Sequence, residues 1–565
     1  MIILTTKRYW LLPCLFTMGF SALAARVLYL YEHRDNFKQT IQKARQRTQV
    51  LQAHRGKILD RNGQCLVSNQ QVYEVGVDLT QVQAQDLNQL PQLASLIKVP
   101  LNKLEEIWNC APTCRWKKIK SDVPASSYEK ICALKVKGIY GNERIKRIYI
   151  DTPSLGHIVG FVNHEGQPVC GIERSMHFYL NGQAGASTIE INGKFQEMAQ
   201  FRPHSTPAAE GNNVEISLDA KIQSIVANVL ENAYQQYHPQ SIQCLVSNPK
   251  SGEILALVIY PGFDPNHYGR YPTENLKNKA ASDVYEPGSV FKAITISAAL
   301  DTNSVTESDS FDCGLTHAEY RGKRLPLPKD WKPFNKRMSV ADILTNSSNK
   351  GTVQVAFKLG AENLFRYGQR FGFGESTRSG LAGETRGIFR SPKEWDGLTI
   401  TRLPIGHALA CSLLQMHYAM GAIANDGQLM YPQLVRRVYD ANGEIIKTFA
   451  PIIRRQVIKK QTAQKMRQLL THSSSSKAYI PRYSVAGKTG TSQKIVNGQY
   501  SHTQHISSFS GFFPSKSPRI QVTIVVDSPQ SKGIAYGSQI ASPIFKEIAE
   551  GIIAYMGIPP QPQLS

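Results

Sequence analysis

Lys7-Arg8 is followed by an unbroken apolar run, "YWLLPCLFTMGFSALAA", from Tyr9 to Ala25. At about 1.5 Å per residue this run gives roughly 26 Å of helix. Continuing through Arg26, whose charged head can snorkel, to Tyr31 makes the segment long enough to cross a bilayer. A chain that opens this way has to fold in two solvents. The run is read as a single uncleaved transmembrane anchor, residues 9–31. Residues 1–8 then lie in the cytoplasm, because positive charge gathers on the cytoplasmic flank, although Arg26 and Arg34 weaken the asymmetry. The other reading is a cleaved signal peptide, with Tyr9–Ser21 as its apolar region and Ala22-Leu23-Ala24 as its small-residue cleavage site. Either way, everything after about residue 30 is exported.

At 565 residues the chain is too long for one core, so two or three folded domains are expected. Hydrophobic residues make up 41% and charged residues 19%, an ordinary globular balance. The formal net charge is +22. Such an excess suits nucleic acid, an anionic membrane face or an acidic polymer. No zinc-finger spacing or aromatic RNA-binding strand supports nucleic acid, so the charge is read as a basic solvated surface. Nine cysteines are spread along the chain. Only Cys110 and Cys114 are close, and no histidine or second pair completes a metal set, so no metal is expected. Export permits a disulfide among Cys110, Cys114, Cys132 and Cys170, and buried free thiols are the alternative.

Residues 32–54 are polar, rich in Lys/Arg and compatible with helix, and read as a juxtamembrane stalk. Residues 55–210 mix short strands and helices with no solenoid period. From residue 211 to 565 the pattern sharpens. "NNVEIS" alternates like a strand, and Asp219 can cap a helix over Ala220–Tyr237. "IQCLVSNPKSGEILALVIYP" reads as a hairpin of two apolar strands, as do "HISSFSGFFP" and "RIQVTIVVDSP". A last helix is expected from about Ser542 to Tyr555. Hairpins at both ends with helices between them predict an α+β domain, an antiparallel sheet covered by helices.

Three short signals fall inside that domain. Ser289-Val290-Phe291-Lys292 follows Pro287-Gly288, and on a helix Lys292 would share a face with Ser289. Ser347-Ser348-Asn349 follows, and then Lys488-Thr489-Gly490-Thr491. Each is weak alone: Ser289 could be a plain helix N-cap, and "GKTGTS" superficially suggests a phosphate loop. A phosphate loop needs a glycine five residues before Gly487, where Arg482 stands. Together and in this order, the three are the signature of penicillin-recognising serine acyl enzymes.

The chain resembles the class B penicillin-binding proteins over nearly its whole length after the anchor. "RGKILDRNG" (Arg55 to Gly63) and "GHIVGFVNHEGQPVCGIE" (Gly156 to Glu173) are similar to motifs of that family's dimerisation-like pedestal. "NPKSGEILALVIYPGFDPN", "SSFSGFFP" and "ASPIFKEIA" resemble parts of its transpeptidase domain, which has a serine β-lactamase-like fold. The Ser-Ser-Asn form looks most like the division-type, FtsI-like branch; the elongation branch often has aspartate at the position of Asn349. No glycosyltransferase domain precedes the pedestal and no extra module follows the last helix, as in a class B protein. "IGHALACSLLQ" departs from the usual Gly-x-Gly and Val-Thr-Pro pattern, and Lys350 stands where an apolar residue is usual.

The resemblance implies a septal peptidoglycan D,D-transpeptidase in the inner (cytoplasmic) membrane, with its catalytic domain on the periplasmic or extracytoplasmic side. Ser289 is then the nucleophile and Lys292 its base. Ser347 relays a proton, Asn349 orients Lys292 and the substrate, and Lys488 supplies a positive charge. Lys488, Thr489, Gly490 and Thr491 would bind the carboxylate of a D-Ala-D-Ala stem peptide. The backbone N–H groups of Ser289 and Thr491 would form the oxyanion hole. An amine of a second stem peptide is the implied acceptor, β-lactams are implied inhibitors, and no cofactor is needed. A membrane glycosyltransferase of the FtsW type and other division proteins are the implied partners. An elongation-type transpeptidase and a weakly active division scaffold are the alternative functions. Ser348 reads as structural, His407 as packing, and Arg55, Asp60 and Arg61 as one structural ion network.

Overall fold

The computed structural model describes residues 6–109, 116–150, 153–190, 198, 204–473, 476–531 and 533–560. The chain divides into two compact units. One holds the described residues up to His54 together with those of Asn181–Gly211; the other holds the described residues of Arg55–Leu180 and Asn212–Ser565.

In the first unit the apolar run is a helix, Thr6–Glu32, within which Trp10–Glu32 is long and apolar enough to cross a membrane. Its large side chains, Leu15, Phe16 and Phe20 among them, are exposed within the unit, as a lipid-facing helix requires. The stalk continues as a helix, Arg34–Arg45, and then as a strand, Gln46–Leu51, which pairs antiparallel with Gly185–Glu190.

The second unit joins the pedestal to the catalytic domain. Strands Ile58–Leu59, Cys65–Val77, Lys117–Pro124 and Ile139–Tyr149 belong to one seven-stranded sheet with Asn213–Ile216, Val435–Tyr439 and Ile445–Thr448. The sheet therefore crosses the expected boundary at residue 210, which falls between sequence segments and not between structural layers. Buried ion pairs stand beside it, in two groups and not the single network expected. Glu173, fully buried, binds Arg55 at 2.6 Å and Arg147 at 2.8 Å. Arg61 instead meets Glu253 at 3.5 Å, and Arg436 bridges Glu253 and Glu215, each at 3.0 Å. Among the described residues Asp60 pairs with no cation; its carboxylate accepts the backbone N–H groups of Asn62, Gln64 and Ala220.

The catalytic domain starts with helix α1 (Ala220–Tyr237), followed by strands β1 (Ser241–Ser247) and β2 (Ile254–Tyr260). Asp219 caps α1, accepting from the N–H groups of Lys221 and Ile222, and His238 ends it in the left-handed region. Helices α2 (Lys292–Asp301), α3 (Asn349–Leu359) and α4 (Leu413–Ala424) come next. Strands β3 (Ala486–Val496), β4 (Gln499–Phe513) and β5 (Ile520–Asp527) and helix α5 (Ala541–Met556) close the domain. The sheet order is β2-β1-β5-β4-β3, and every pairing is antiparallel.

Apolar residues alternate across this sheet, so each face builds its own core. Ile242, Cys244, Val522, Ile524 and Phe509 pack with Val226 and Leu230 of α1 and with Phe545 and Ile548 of α5. Leu245, Leu257, Phe512 and Val525 face α2 and α4. All ten residues of α2 are buried, Lys292 included. The result is the expected α+β arrangement, an antiparallel sheet between two helical layers, with β3 at its edge. Among the described cysteines, Cys14, Cys65, Cys132, Cys170, Cys244, Cys313 and Cys411 are free thiols. Cys110 and Cys114, and any disulfide they make, lie outside the described residues.

Candidate active site

Ser289 does not cap a helix. Gly288–Phe291 forms a 3-10 turn that runs straight into α2, and the turn begins at Pro287 without a side-chain cap. The segment from Gly288 is therefore one turn of tighter winding followed by α2. This leaves the Ser289 hydroxyl without a capping bond to the helix, at a partly exposed position. Lys292, the first residue of α2, is fully buried.

Close backbone approaches hold the turn in place. Gly288 has φ +54, and a Cβ there would stand 2.8 Å from the Thr491 carbonyl oxygen. A Cβ at Gly490 would stand 2.6 Å from the Pro287 carbonyl. The Gly288 N–H donates to the Gly406 carbonyl at 3.1 Å. Glycine at these positions lets the turn that bears Ser289 lie directly against edge strand β3.

Lys292 is the centre of the arrangement. Its Nζ donates to the Ser347 carbonyl at 2.6 Å, to Ser347 Oγ at 3.2 Å and to Asn349 Oδ1 at 2.6 Å. Burial holds its pKa well below the ordinary lysine value; the positive charge of Lys488 lowers it further, and Asp330 opposes both. Lys488 is itself buried, which lowers its pKa to about 8. Strand alternation sets Lys488 and Gly490 on one face of β3 and Thr489 and Thr491 on the other. Thr491 Oγ1 accepts the Gly537 N–H at 3.0 Å.

Ser347 sits in the left-handed region, φ +56, at the break before α3. Ser348, fully buried, caps α3 by accepting the Gly351 N–H at 3.0 Å and donates to Asp330 Oδ2 at 3.1 Å, in keeping with its structural reading. Asp330 also accepts the backbone N–H groups of Asn349 and of Lys350. The Lys329 carbonyl accepts from Asn349 Nδ2 at 2.6 Å, which turns Asn349 Oδ1 toward Lys292. Lys350 points elsewhere, reaching the Gly314 carbonyl at 3.4 Å.

Two carboxylates that organise this site carried no motif. Asp330 lies in the loop "PKDWKPFN", well before Ser347, where an acid among Pro and Lys gives no spacing signal. Glu286 stands just before Pro287-Gly288 and is buried. It binds His407 Nδ1 at 2.7 Å, the Ala408 N–H at 3.0 Å and the Tyr500 hydroxyl at 3.1 Å, and its carbonyl accepts from Ser492 Oγ. His407, expected to pack, is thus a hydrogen-bond partner of Glu286 behind the turn that bears Ser289. The unusual "ACSLLQ" keeps its local geometry: Ser412 and Gln415 form a capping box that starts α4, and Cys411 pairs with Tyr285 through backbone hydrogen bonds.

A serine hydroxyl on a tight turn, a desolvated lysine one residue into the following helix and a second buried lysine define a serine acyl-transfer enzyme that dispenses with histidine. Residues 242–550 match the penicillin binding protein transpeptidase domain, and residues 50–216 match the penicillin-binding protein dimerisation domain. The chain belongs to the penicillin-binding protein transpeptidase family, as a class B member and a serine-type peptidoglycan D,D-transpeptidase. It is 32% identical to stage V sporulation protein D of Bacillus subtilis, over 90% of this chain and 80% of that protein. It is 27% identical to peptidoglycan D,D-transpeptidase FtsI of Escherichia coli, over 91% of this chain and 86% of that protein. The fold matches that of penicillin binding protein 2X from Streptococcus thermophilus with a TM-score of 0.75, at 20% identity, over 90% of this chain and 80% of that one.

Asp330→Ala leaves the Ser348 hydroxyl and two N–H groups at the head of α3 without their acceptor. Hydrogen bonds to a charged group contribute about 1.5–3 kcal/mol each, and solvent recovers part of that. The expected loss is about 2–3 kcal/mol of stability, measured by the denaturant midpoint at unchanged slope. An unchanged midpoint would show that the loop holds α3 without this carboxylate.

Proposed function

We propose that this chain is a septal transpeptidase that crosslinks peptidoglycan stem peptides through a Ser289 acyl-enzyme and is acylated there by β-lactams. The observation that carries the reading is Lys292, an amino group without solvent, held by Ser347 and Asn349 and crowded by Lys488. A protonated lysine is no base, and this one is disfavoured in its protonated form. Lys292 takes the proton of Ser289 as the hydroxyl attacks the penultimate D-Ala carbonyl. Ser347 Oγ, within 3.2 Å of the Lys292 amine, passes a proton to the leaving D-Ala amine. Asn349 keeps the Lys292 amine oriented. The backbone N–H groups of Ser289 and Thr491 stabilise the oxyanion, a contribution of about 2.7–4 kcal/mol per donor in comparable sites. Thr489, Gly490 and Thr491 receive the substrate carboxylate, with the charge of Lys488 behind them. An amine of a neighbouring stem peptide then takes the acyl group.

The Ser347-Ser348-Asn349 form and the similarity to FtsI favour the division role over elongation. The anchor reading puts the catalytic unit on the extracytoplasmic face of the inner membrane, where a membrane glycosyltransferase of the FtsW type would deliver nascent glycan. Depletion of the chain should give filaments with blocked septa; rounded cells would assign it to elongation instead.

The chemistry is tested by labelled penicillin on the full chain. The wild type should take up one label per chain and release it slowly, and Ser289→Ala should take up none. Equal labelling of the two proteins would refute the acyl-enzyme at Ser289. The rate of acylation by a peptide-like donor should rise with pH as Lys292 loses its proton, well below the usual lysine range. It should fall again above about 8, as Lys488 loses the charge that holds the donor carboxylate. A rate rising only near pH 10 would mean that Lys292 is an ordinary charged lysine.

A further inference from the structure

A second concave site lies in the catalytic domain, lined by none of the residues assigned to the acyl-transfer chemistry. It encloses about 660 Å³ and is lined by Glu375, Arg378, Arg386, Tyr431, Arg454 and Arg455, among others. Four arginines thus line one hollow with a single glutamate. Arg454 and Arg455 both bind that carboxylate, Glu375. Arg378 and Arg386 are exposed and have no acidic partner among the described residues. Among the lining residues the excess is three positive charges.

Stability alone does not explain this crowding. Like charges a few ångströms apart repel, and Arg454 pays a desolvation cost as well: its side chain is 11% exposed, and burial lowers its pKa. Yet the groups are held in place. The guanidinium carbons of Arg454 and Arg378 lie over the Tyr431 ring, at 5.4 Å and 5.9 Å from its centroid. Arg378 is itself in the left-handed region, φ +59, a backbone shape that its loop must enforce. Glu384 enforces it by accepting from the backbone and hydroxyl groups of Thr377 and Ser379. Gln415 Nε2 clamps the two ends of the loop, donating to the Glu375 carbonyl at 3.0 Å and to the Arg386 carbonyl at 2.8 Å. Arg454 and Arg455 come from a separate strand, Ile453–Gln456. Two independent elements are therefore braced so that their arginines converge.

We propose that this hollow binds a phosphate-bearing anion. Arginine's planar fork matches phosphate oxygens two at a time, and several arginines around one hollow suit a group with more than one negative charge. Arg378 and Arg386 supply the open donors, Arg454 and Arg455 the fixed positive wall, and Tyr431 the ring over which two of the guanidinium groups lie. The phosphate comes either free in solution or as a lipid headgroup; the recognition chemistry is the same.

The test is calorimetric titration of the full chain in a neutral glucoside detergent, with inorganic pyrophosphate in one arm and soluble dihexanoylphosphatidic acid, a phosphate monoester, in the other. The comparison protein carries Arg378→Gln and Arg386→Gln, two exposed positions whose loss leaves the fold and penicillin labelling intact. The wild type should bind at least one probe, more weakly as salt rises, and the double variant should bind it at least tenfold more weakly. Binding of pyrophosphate alone identifies a free phosphate ligand; binding of the phospholipid, with or without pyrophosphate, identifies a headgroup. If neither probe binds the wild type, or if the double variant binds as well as the wild type, the hollow is not a phosphate site.

Discussion

The burial of the Lys292 amino group is the constraint around which the catalytic domain is arranged. An amine taken out of water needs acceptors for its protons, and the Ser347 carbonyl and Asn349 Oδ1 provide them at 2.6 Å. Those acceptors lie far along the chain and have to be brought to α2. The left-handed residue Ser347 exposes its carbonyl at the start of α3, and Asp330 fixes that start by taking the Ser348 hydroxyl and the Asn349 N–H. Lys488 arrives from β3, the opposite wall. Each piece has a local structural reason, and all of them meet at one nitrogen atom.

The meeting is possible because the backbones approach closely. Gly288, Gly490 and Gly406 stand where a Cβ would collide with the neighbouring main chain. The sheet sets the position of β3 through its pairing with β4, where Lys488 opposes Ser510 and Thr491 opposes Ser507. Apolar packing on both faces makes that sheet rigid; fully burying an Ile or Phe side chain contributes about 1.5–3 kcal/mol. The edge position of β3 matters in turn. An edge strand has unpaired backbone groups on one side, and here that side faces the turn bearing Ser289. A hazard elsewhere becomes, in the proposed mechanism, the groove in which an extended peptide is acylated.

What could be read from the sequence follows from what kind of signal each feature leaves. Asp219 before an apolar period, the β1–β2 hairpin and the last helix rest on local propensity, and the structure has them where the pattern put them, to within a residue or two. The three short motifs were legible because their order and context were jointly improbable. The minor reading of Ser289 as a cap falls; it arises because a serine after Pro-Gly looks the same in sequence at the head of a 3-10 turn as at an N-cap. Asp330, Glu286 and the His407 pairing stayed hidden because they act through tertiary contacts between loops, which leave no period or spacing. The pedestal ions were grouped wrongly for a similar reason. Arg55 and Arg61 are neighbours in sequence, but the strand between them carries them to separate partners, Glu173 and Glu253.

Burial of two lysines sets stability against the charged state. A lysine whose folded pKa is lowered binds fewer protons folded than unfolded, between the folded value and about 10.4. Stability therefore rises with pH through that window, and near neutrality the fold carries the cost of desolvating these groups. For Lys292 the cost and the proposed function point the same way: the neutral amine that burial favours is the form that can accept the Ser289 proton. For Lys488, with a pKa of about 8, the balance is finer, because most of the population near neutrality keeps the charge that depresses Lys292 and that, in the proposed mechanism, holds a carboxylate. Placing the second lysine on a strand of the sheet adds its positive charge to the desolvation that already lowers the Lys292 pKa. Histidine would titrate near neutrality without any such arrangement. In the proposed mechanism the lysine pair instead ties reactivity to correct folding, since an unfolded or loosened site would restore both ordinary pKa values and leave Ser289 without its base.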